Sequence, residues 1–277
     1  MSARRRTWNQ AELLIVFGLY CRIPFGRLHQ ANPEIIELAE VLGRTPGAVA
    51  MKACNFASLD PQQRARRIKA LGNVSRADRE LWEAFLDDSE GVANEAEAAY
   101  ASMTGKEAVD YVPGIDSAVT ARGKKTKAKE PALGDEPTMP VGDTEKDALI
   151  KSRRVQSFFL AAVLTSYNNR CALTGLAIPE LLNASHIIPW SADEKRRADP
   201  RNGICLNALH DRAFDRGLIS FDENLRVIVS SVINNTEDCS LQRGQFVRIS
   251  GCPLRLPERF QPEKAALDYH RTHIYRP

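Results

Sequence analysis

The stretch from Gly114 to Gly142 contains no aromatic residue and is dominated by Pro, Gly, Lys and Thr. A segment of this kind has too little apolar surface to offset the entropy of ordering its backbone, so it is expected to be a flexible linker. It divides the 277 residues into two parts of ordinary domain size. The expected organisation is a helical domain over 1–90, a largely flexible linker over 91–143, and a second domain over 144–277. No run approaches the ~18 consecutive apolar residues that a membrane span needs. The basic opening from Met1 to Arg6 leads into an amphipathic stretch without a small-residue cleavage site, so no signal peptide is expected. Six scattered cysteines with no Cys-x-x-Cys pair argue against a disulfide framework and against a four-cysteine zinc site. A cytoplasmic location is the expectation.

The first 90 residues read as helices marked by their caps. Thr7-x-x-Gln10 has the pattern of a capping box ahead of the apolar run Leu13, Leu14, Val16 and Phe17. Asn32-Pro33 and Thr45-Pro46 are each an N-cap followed by proline at the first helical position. Asp60-Pro61 and Ser75-Arg76-Ala77-Asp78 start two more, the last carrying Leu81, Trp82 and Phe85. Glu90 to Ala101 is rich in Ala and Glu and can extend a helix.

Helices over Pro33 to Leu42 and Pro46 to Asn55, joined through Gly43-Arg44, have the pattern of a helix-turn-helix. The second would enter the major groove, with Arg44, Thr45, Lys52 and Asn55 as candidate contacts. Residues 1–70 hold 11 basic and 5 acidic side chains, 71–120 hold 3 and 11, and 121–277 hold 24 and 19. Two basic blocks flanking an acidic one suit a chain whose ends meet a polyanion. A helical bundle that docks on the second domain or forms a dimer is the competing reading of the same helices.

In the second domain a helix with Ile150, Val155, Phe158, Phe159, Ala162 and Val163 on its apolar face is followed by short strands. These are expected at Cys171 to Thr174, Leu182 to Ile188, Gly203 to Leu206, Leu218 to Phe221 and Leu225 to Val229, with a helix over Asn207 to Arg216. His186 lies in Asn183-Ala184-Ser185-His186-Ile187-Ile188-Pro189-Trp190, and His210 lies in Asn207-Ala208-Leu209-His210-Asp211-Arg212-Ala213-Phe214-Asp215-Arg216-Gly217-Leu218-Ile219. Two strands and a helix arranged in this order can bring both imidazoles to one cleft.

With Asn202 between the two histidines, sixteen residues after the first and eight before the second, residues 171–221 resemble the HNH nuclease motif, the ββα-metal fold. The branch resembled reads Ser/Ala-His-Ile-x-Pro-Trp, then Asn-Gly, then His-x-x-x-Phe-Asp-x-Gly-Leu-Ile. The fold class expected is therefore α+β: an all-α, helix-turn-helix-like N-terminal domain, a flexible linker and a C-terminal ββα-metal domain. The resemblance implies phosphodiester hydrolysis, with His186 as general base, Asn202 orienting that base by a hydrogen bond across the loop, and His210 holding one divalent cation. Histidine suits the first task because its pKa lies near neutral. Mg²⁺ is the expected metal, with Mn²⁺ or another exchangeable cation as the alternative.

Many members carry Asp or His just before the base as a further metal ligand, where this chain has Ser185. That leaves the place to a backbone or water oxygen, or to a carboxylate. Asp211 and Asp215, one helical turn apart, are the nearest in sequence, although Asp215 reads equally as a cap or salt bridge closing its helix at Gly217. Arg201 and Arg212 beside the motif are candidate phosphate contacts.

A helical reader joined to a C-terminal HNH domain is similar to the layout of restriction endonucleases, including modification-dependent ones. The expected activity is metal-dependent cleavage of double-stranded DNA, with no membrane partner. One HNH site cuts one strand, so a double-strand break implies a homodimer or two sequential nicks. The alternatives are a non-catalytic DNA-binding regulator with a degenerate HNH fold, and a nuclease or toxin directed at RNA.

Overall fold

The computed structural model describes residues 6–66, 74–106, 143–234 and 239–277. The segment expected to be a linker therefore lies mostly outside the described residues. The helical module runs α1 (Gln10–Arg22), α2 (Pro33–Leu42), α3 (Pro46–Ala57), α4 (Pro61–Ala65), α5 (Arg76–Asp87) and α6 (Ser89–Thr104). After the gap come α7 (Asp143–Ser166), β1 (Leu182–His186), β2 (Gly203–Asn207), α8 (Ala208–Asp215), β3 (Ile219–Phe221) and β4 (Val227–Val229). Short helices α9 (Ser231–Asn234), α10 (Ser240–Gln245) and α11 (Lys264–Tyr269) complete the chain. No described helix is long and apolar enough to cross a membrane.

Local chemistry sets most of the boundaries. Asn32, Thr45, Asp60 and Ser75 each cap the helix expected of them. The first helix differs: its capping box is Asn9 with Glu12, not Thr7 with Gln10, and each side chain accepts from the other's backbone N–H. Asn9 is as good a cap as Thr7, and Glu12 in this register also reaches Arg44 and Arg6. Gly43 ends α2 in the left-handed conformation at φ 59°, which a residue without a Cβ adopts freely.

Helix α1 is buried on every side from Leu13 to Arg22, as a helix at the centre of a bundle must be. Around it lies an aromatic cluster of Phe17, Tyr20, Phe56, Trp82 and Phe85, into which α7 sends Phe158 and the C-terminal tail sends Phe260. The buried Arg259 guanidinium donates to the carbonyls of Tyr20 and Cys21. The first core thus joins side chains from 1–106 to side chains from the C-terminal half.

The other face of α7 builds the second core. Phe159, Val163 and Leu164 pack with Leu182, Ile204, Leu206, Phe214, Ile219, Phe221 and Leu267. β1 and β2 form an antiparallel pair in register Leu182 with Asn207 through His186 with Gly203, and β3 pairs antiparallel with β4. The strand expected at Cys171 to Thr174 is instead a turn, closed by Gly175 N–H to the Cys171 carbonyl and by Cys171 N–H to the Leu176 carbonyl. Its one backbone bond to β2 runs from Ala172 N–H to the Cys205 carbonyl at 2.7 Å. Phe158 and Phe159, adjacent in sequence, therefore face different cores, and α7 is the shared wall between them.

Candidate active site

Strand alternation turns Asn183 and Ser185 to one face of β1 and His186 to the other. The His186 ring lies flat on Phe159, with centroids 3.8 Å apart and planes at 11°, and meets Trp190 edge-on at 5.6 Å. Phe159 reaches this position because residue 203 is glycine: a Cβ there would fall 2.5 Å from Val163 Cγ2 and 2.8 Å from Phe159 Cζ. The Asn-Gly of the motif is thus a close approach between β2 and α7.

His186 Nε2 lies 2.9 Å from the Arg197 carbonyl. A carbonyl only accepts, so Nε2 carries the proton and donates. Nδ1 then holds the lone pair, and it has no hydrogen-bond partner among the described residues. Burial lowers the pKa of this imidazole, while the Arg197 carbonyl and the charge of Asp211 act in the opposite direction. The net result is a neutral ring at neutral pH, oriented and ready to accept a proton at one nitrogen.

Asn202 does not touch the imidazole, and the expected bond to the base is corrected. Its Oδ1 accepts from Ile188 N–H at 2.8 Å and its Nδ2 donates to the Ile188 carbonyl at 3.1 Å. The backbone adds Ile187 N–H to the Asn202 carbonyl at 2.9 Å. A carboxamide matches both polar groups of one peptide unit, so Asn202 closes the loop that leaves β1 and returns to β2. It fixes the two residues that follow His186.

His210 is also placed differently from its expected role as metal ligand. It is wholly buried; Nδ1 lies 3.1 Å from Asn207 Nδ2 and Nε2 lies 2.8 Å from the Gln245 carbonyl. Both ring nitrogens are engaged, and the ring meets Phe246 edge-on. The cause is helical phase: His210, Ala213 and Phe214 form the inward stripe of α8, while Arg212 and Asp215 face out. Beside His210, burial would raise the Cys171 thiol, but hydrogen bonds involving His210, Thr174 and Leu173 bring it down to about 6. Cys171 also accepts from Asn207 N–H at 3.4 Å. These groups knit α8 to the turn before β1 and to α10.

The oxygen donors lie on the other face of α8. Asp211 accepts from Ser185 Oγ at 2.5 Å and from Asn183 Nδ2 at 2.6 Å. Asp215, one turn on, has a raised pKa because its carboxyl is partly desolvated and feels the charge of Asp211. The two carboxylates form an acidic pole on α8, and the charge of Asp211 is felt at His186. Among the described residues no three His, Cys, Asp or Glu side chains group as a metal cluster. Carboxylate and hydroxyl oxygens are the donor type that hard divalent cations take.

The expected DNA contacts separate sharply. Lys52 Nζ lies 2.8 Å from buried Asp78, and the buried Asn55 donates to the same carboxylate. Arg44 pairs with Glu12 at 2.7 Å, donates to the Thr7 carbonyl, and stacks over Trp8 at 3.7 Å. Thr45 caps α3. Arg44, Lys52 and Asn55 are therefore corrected from DNA contacts to internal supports, because partners on α1 and α5 engage them, whereas the cap Thr45 stays exposed. Arg201 is held by Asp199 and Glu263 at 2.8 and 2.9 Å. Arg212 is exposed, and its guanidinium makes no ion pair with a described residue.

Sequence reasoning placed Phe159 on an apolar helix face but missed that it carries the imidazole. It also missed the Arg197 carbonyl, for which residue type gives no signal. Compared with protein families, residues 171–222 match the model described as HNH endonuclease, a span from Cys171 through β1, β2, α8 and β3. No curated protein matches the chain.

Proposed function

Taking as premise that residues 171–222 form an HNH endonuclease domain acting on nucleic acid, we propose that this protein is a metal-dependent DNA endonuclease of the restriction type. The observation that carries the reading is His186: a neutral imidazole, protonated at Nε2 by its bond to Arg197, with Nδ1 free to take a proton from a water. Phe159 and Trp190 restrict the ring's orientation, so little entropy remains to be lost when the attacking water is aligned.

Asp211 and Asp215 would hold the divalent cation, with Ser185 supporting Asp211. When bound, such an ion supplies stabilisation of the charge that develops on the phosphate and the leaving oxygen. Arg212 would meet a backbone phosphate. The helical module ahead of an HNH domain supports the restriction reading by its similarity to that layout. Because α3 turns its polar residues inward, selectivity for a sequence or a modified base would come from another surface than the one α3 offers. A second copy or a second nick would supply the other strand.

The test is nicking of supercoiled plasmid with Mg²⁺ or Mn²⁺, on methylated and plain DNA, by wild type and His186→Ala. The expected result is cleavage by wild type and a loss of about 10²–10⁴-fold in the variant, the usual worth of a general base. Equal rates would refute the assignment of His186. No cleavage of any DNA by wild type would refute the DNA endonuclease reading and favour a non-catalytic DNA-binding protein.

A further inference from the structure

Between β1 and β2 the chain makes an excursion over residues 187–202, and the carbonyl that orients His186 belongs to Arg197, in its middle. Asn202 fixes only the ends of this loop. The middle is held partly by the loop's own bonds, among them Arg197 N–H to the Glu194 carbonyl, and partly by groups from elsewhere in the molecule. Ala198 is wholly buried in the first core, and Trp190 packs against that core. Ser89, itself buried, donates its hydroxyl to the Lys195 carbonyl at 2.8 Å. Glu90 places one carboxylate oxygen 3.3 Å from the Arg197 guanidinium and the other 2.9 Å from Lys151 on α7. The same guanidinium donates to the Trp190 carbonyl at 2.9 Å and lies over the Trp190 ring, while Glu194 pairs with its exposed side.

We infer that Ser89 and Glu90, the first two residues of α6, are positioning residues for His186, and that the N-terminal helices complete the catalytic site through them. Arg197 is gripped twice. Its side chain is held by Glu90, and its carbonyl holds Nε2 of the base. A shift of the loop therefore moves the acceptor that selects the Nε2–H tautomer and sets the ring's direction. Only that tautomer leaves Nδ1 as the proton acceptor. The helical module, in which Arg44, Lys52 and Asn55 are engaged internally, thus has a role in orienting the base.

The catalytic consequence rests on the nuclease reading, but the structural link does not, and the experiment separates the two. The double variant Ser89→Ala/Glu90→Gln is prepared in the full chain, with Glu90→Gln alone as the milder, nearly isosteric change and Ser89→Thr as the variant that keeps the hydroxyl. Imidazole ¹⁵N shifts at neutral pH, without substrate, read the tautomer of His186 directly, and circular dichroism checks folding. Wild type is expected to show His186 as Nε2–H alone, and the double variant to show a measurable Nδ1–H population, with Ser89→Thr close to wild type. Single-turnover nicking at saturating DNA should fall roughly 10-fold while DNA affinity stays within about 2-fold, since displacing a reacting group costs rate before it costs binding. A folded double variant with an unchanged His186 spectrum would overturn the inference, as would affinity falling in step with rate. Altered tautomers in a protein whose wild type cuts no DNA would uphold the link and defeat the nuclease reading alone.

Discussion

Helix α3 turns Lys52 and Asn55 inward onto Asp78, whereas α8, begun by a similar polar cap, keeps Arg212 and Asp215 at the surface with Asp211 beside them. Both helices were expected to offer polar side chains to DNA. The difference lies in what covers them. α3 sits among α1, α2 and α5, and Met51 is its one exposed residue. α8 rests one face on the β1–β2 pair and α10, with the other left open. Cap chemistry decides where a helix starts; the number of neighbours decides whether its polar residues serve the fold or a ligand.

The sharpest way to break this contrast is at Lys52. Lys52→Ala leaves Asp78 buried with backbone and amide donors but no cation, and removing one partner of a buried pair costs about 3–5 kcal/mol. Urea denaturation should show that loss, while DNA affinity per folded molecule stays the same. A stable variant with weaker DNA binding and a salt dependence reduced by about one phosphate contact would return α3 to the role of a reading helix.

The inward face of α8 offers a second test, because His270 is stacked on Phe214 at 3.7 Å, with Ser220 and the Phe214 carbonyl at its two nitrogens. Burial pushes its pKa down to about 4 from an ordinary value of 6.5. The unfolded chain therefore takes up this proton more readily than the folded one, so stability falls as pH drops through 6.5 and levels off below about 4. The loss from this residue is at most roughly 3–4 kcal/mol, at about 1.4 kcal/mol per pH unit. Urea midpoints measured across that range should decline more steeply for wild type than for His270→Gln. Parallel curves would mean that the ring is open to water and that this face of α8 is less enclosed than described.

How much of this was legible depends on the distance between partners. The caps at Asn32, Thr45, Asp60 and Ser75 were legible because cap and helix are neighbours in sequence. The pairing of β1 with β2 and the candidate base His186 followed from one motif of local spacings. The fate of Arg44 and Lys52 was not legible, since their partners Glu12 and Asp78 lie 32 and 26 residues away. His210 is a similar case: Gln245, 35 residues on, supplies the carbonyl that engages its outer nitrogen. The role of Arg197 was hidden for another reason. It acts on His186 through a carbonyl that every residue possesses, and only loop geometry aims it.

The smallest predicted effect distinguishes two arginines that looked alike in sequence. Arg201 is spent on Asp199 and Glu263, whereas Arg212 is exposed on the open face of α8 and pairs with no described acid. A phosphate contact from such a side chain releases about one counterion on binding. Arg212→Ala should thus weaken DNA binding uniformly across sequences, by less than about 10-fold at moderate salt, and make the slope of log affinity against log salt shallower by about 1. Arg201→Ala should leave that slope unchanged, because its removal unbalances Asp199 and Glu263 inside the protein without touching the ligand. Measuring both slopes with one duplex under identical buffers isolates the comparison. If the two variants shift the slope equally, Arg201 exchanges its internal acids for phosphate on binding, and the basic surface of the site extends from α8 onto the loop that carries Arg197.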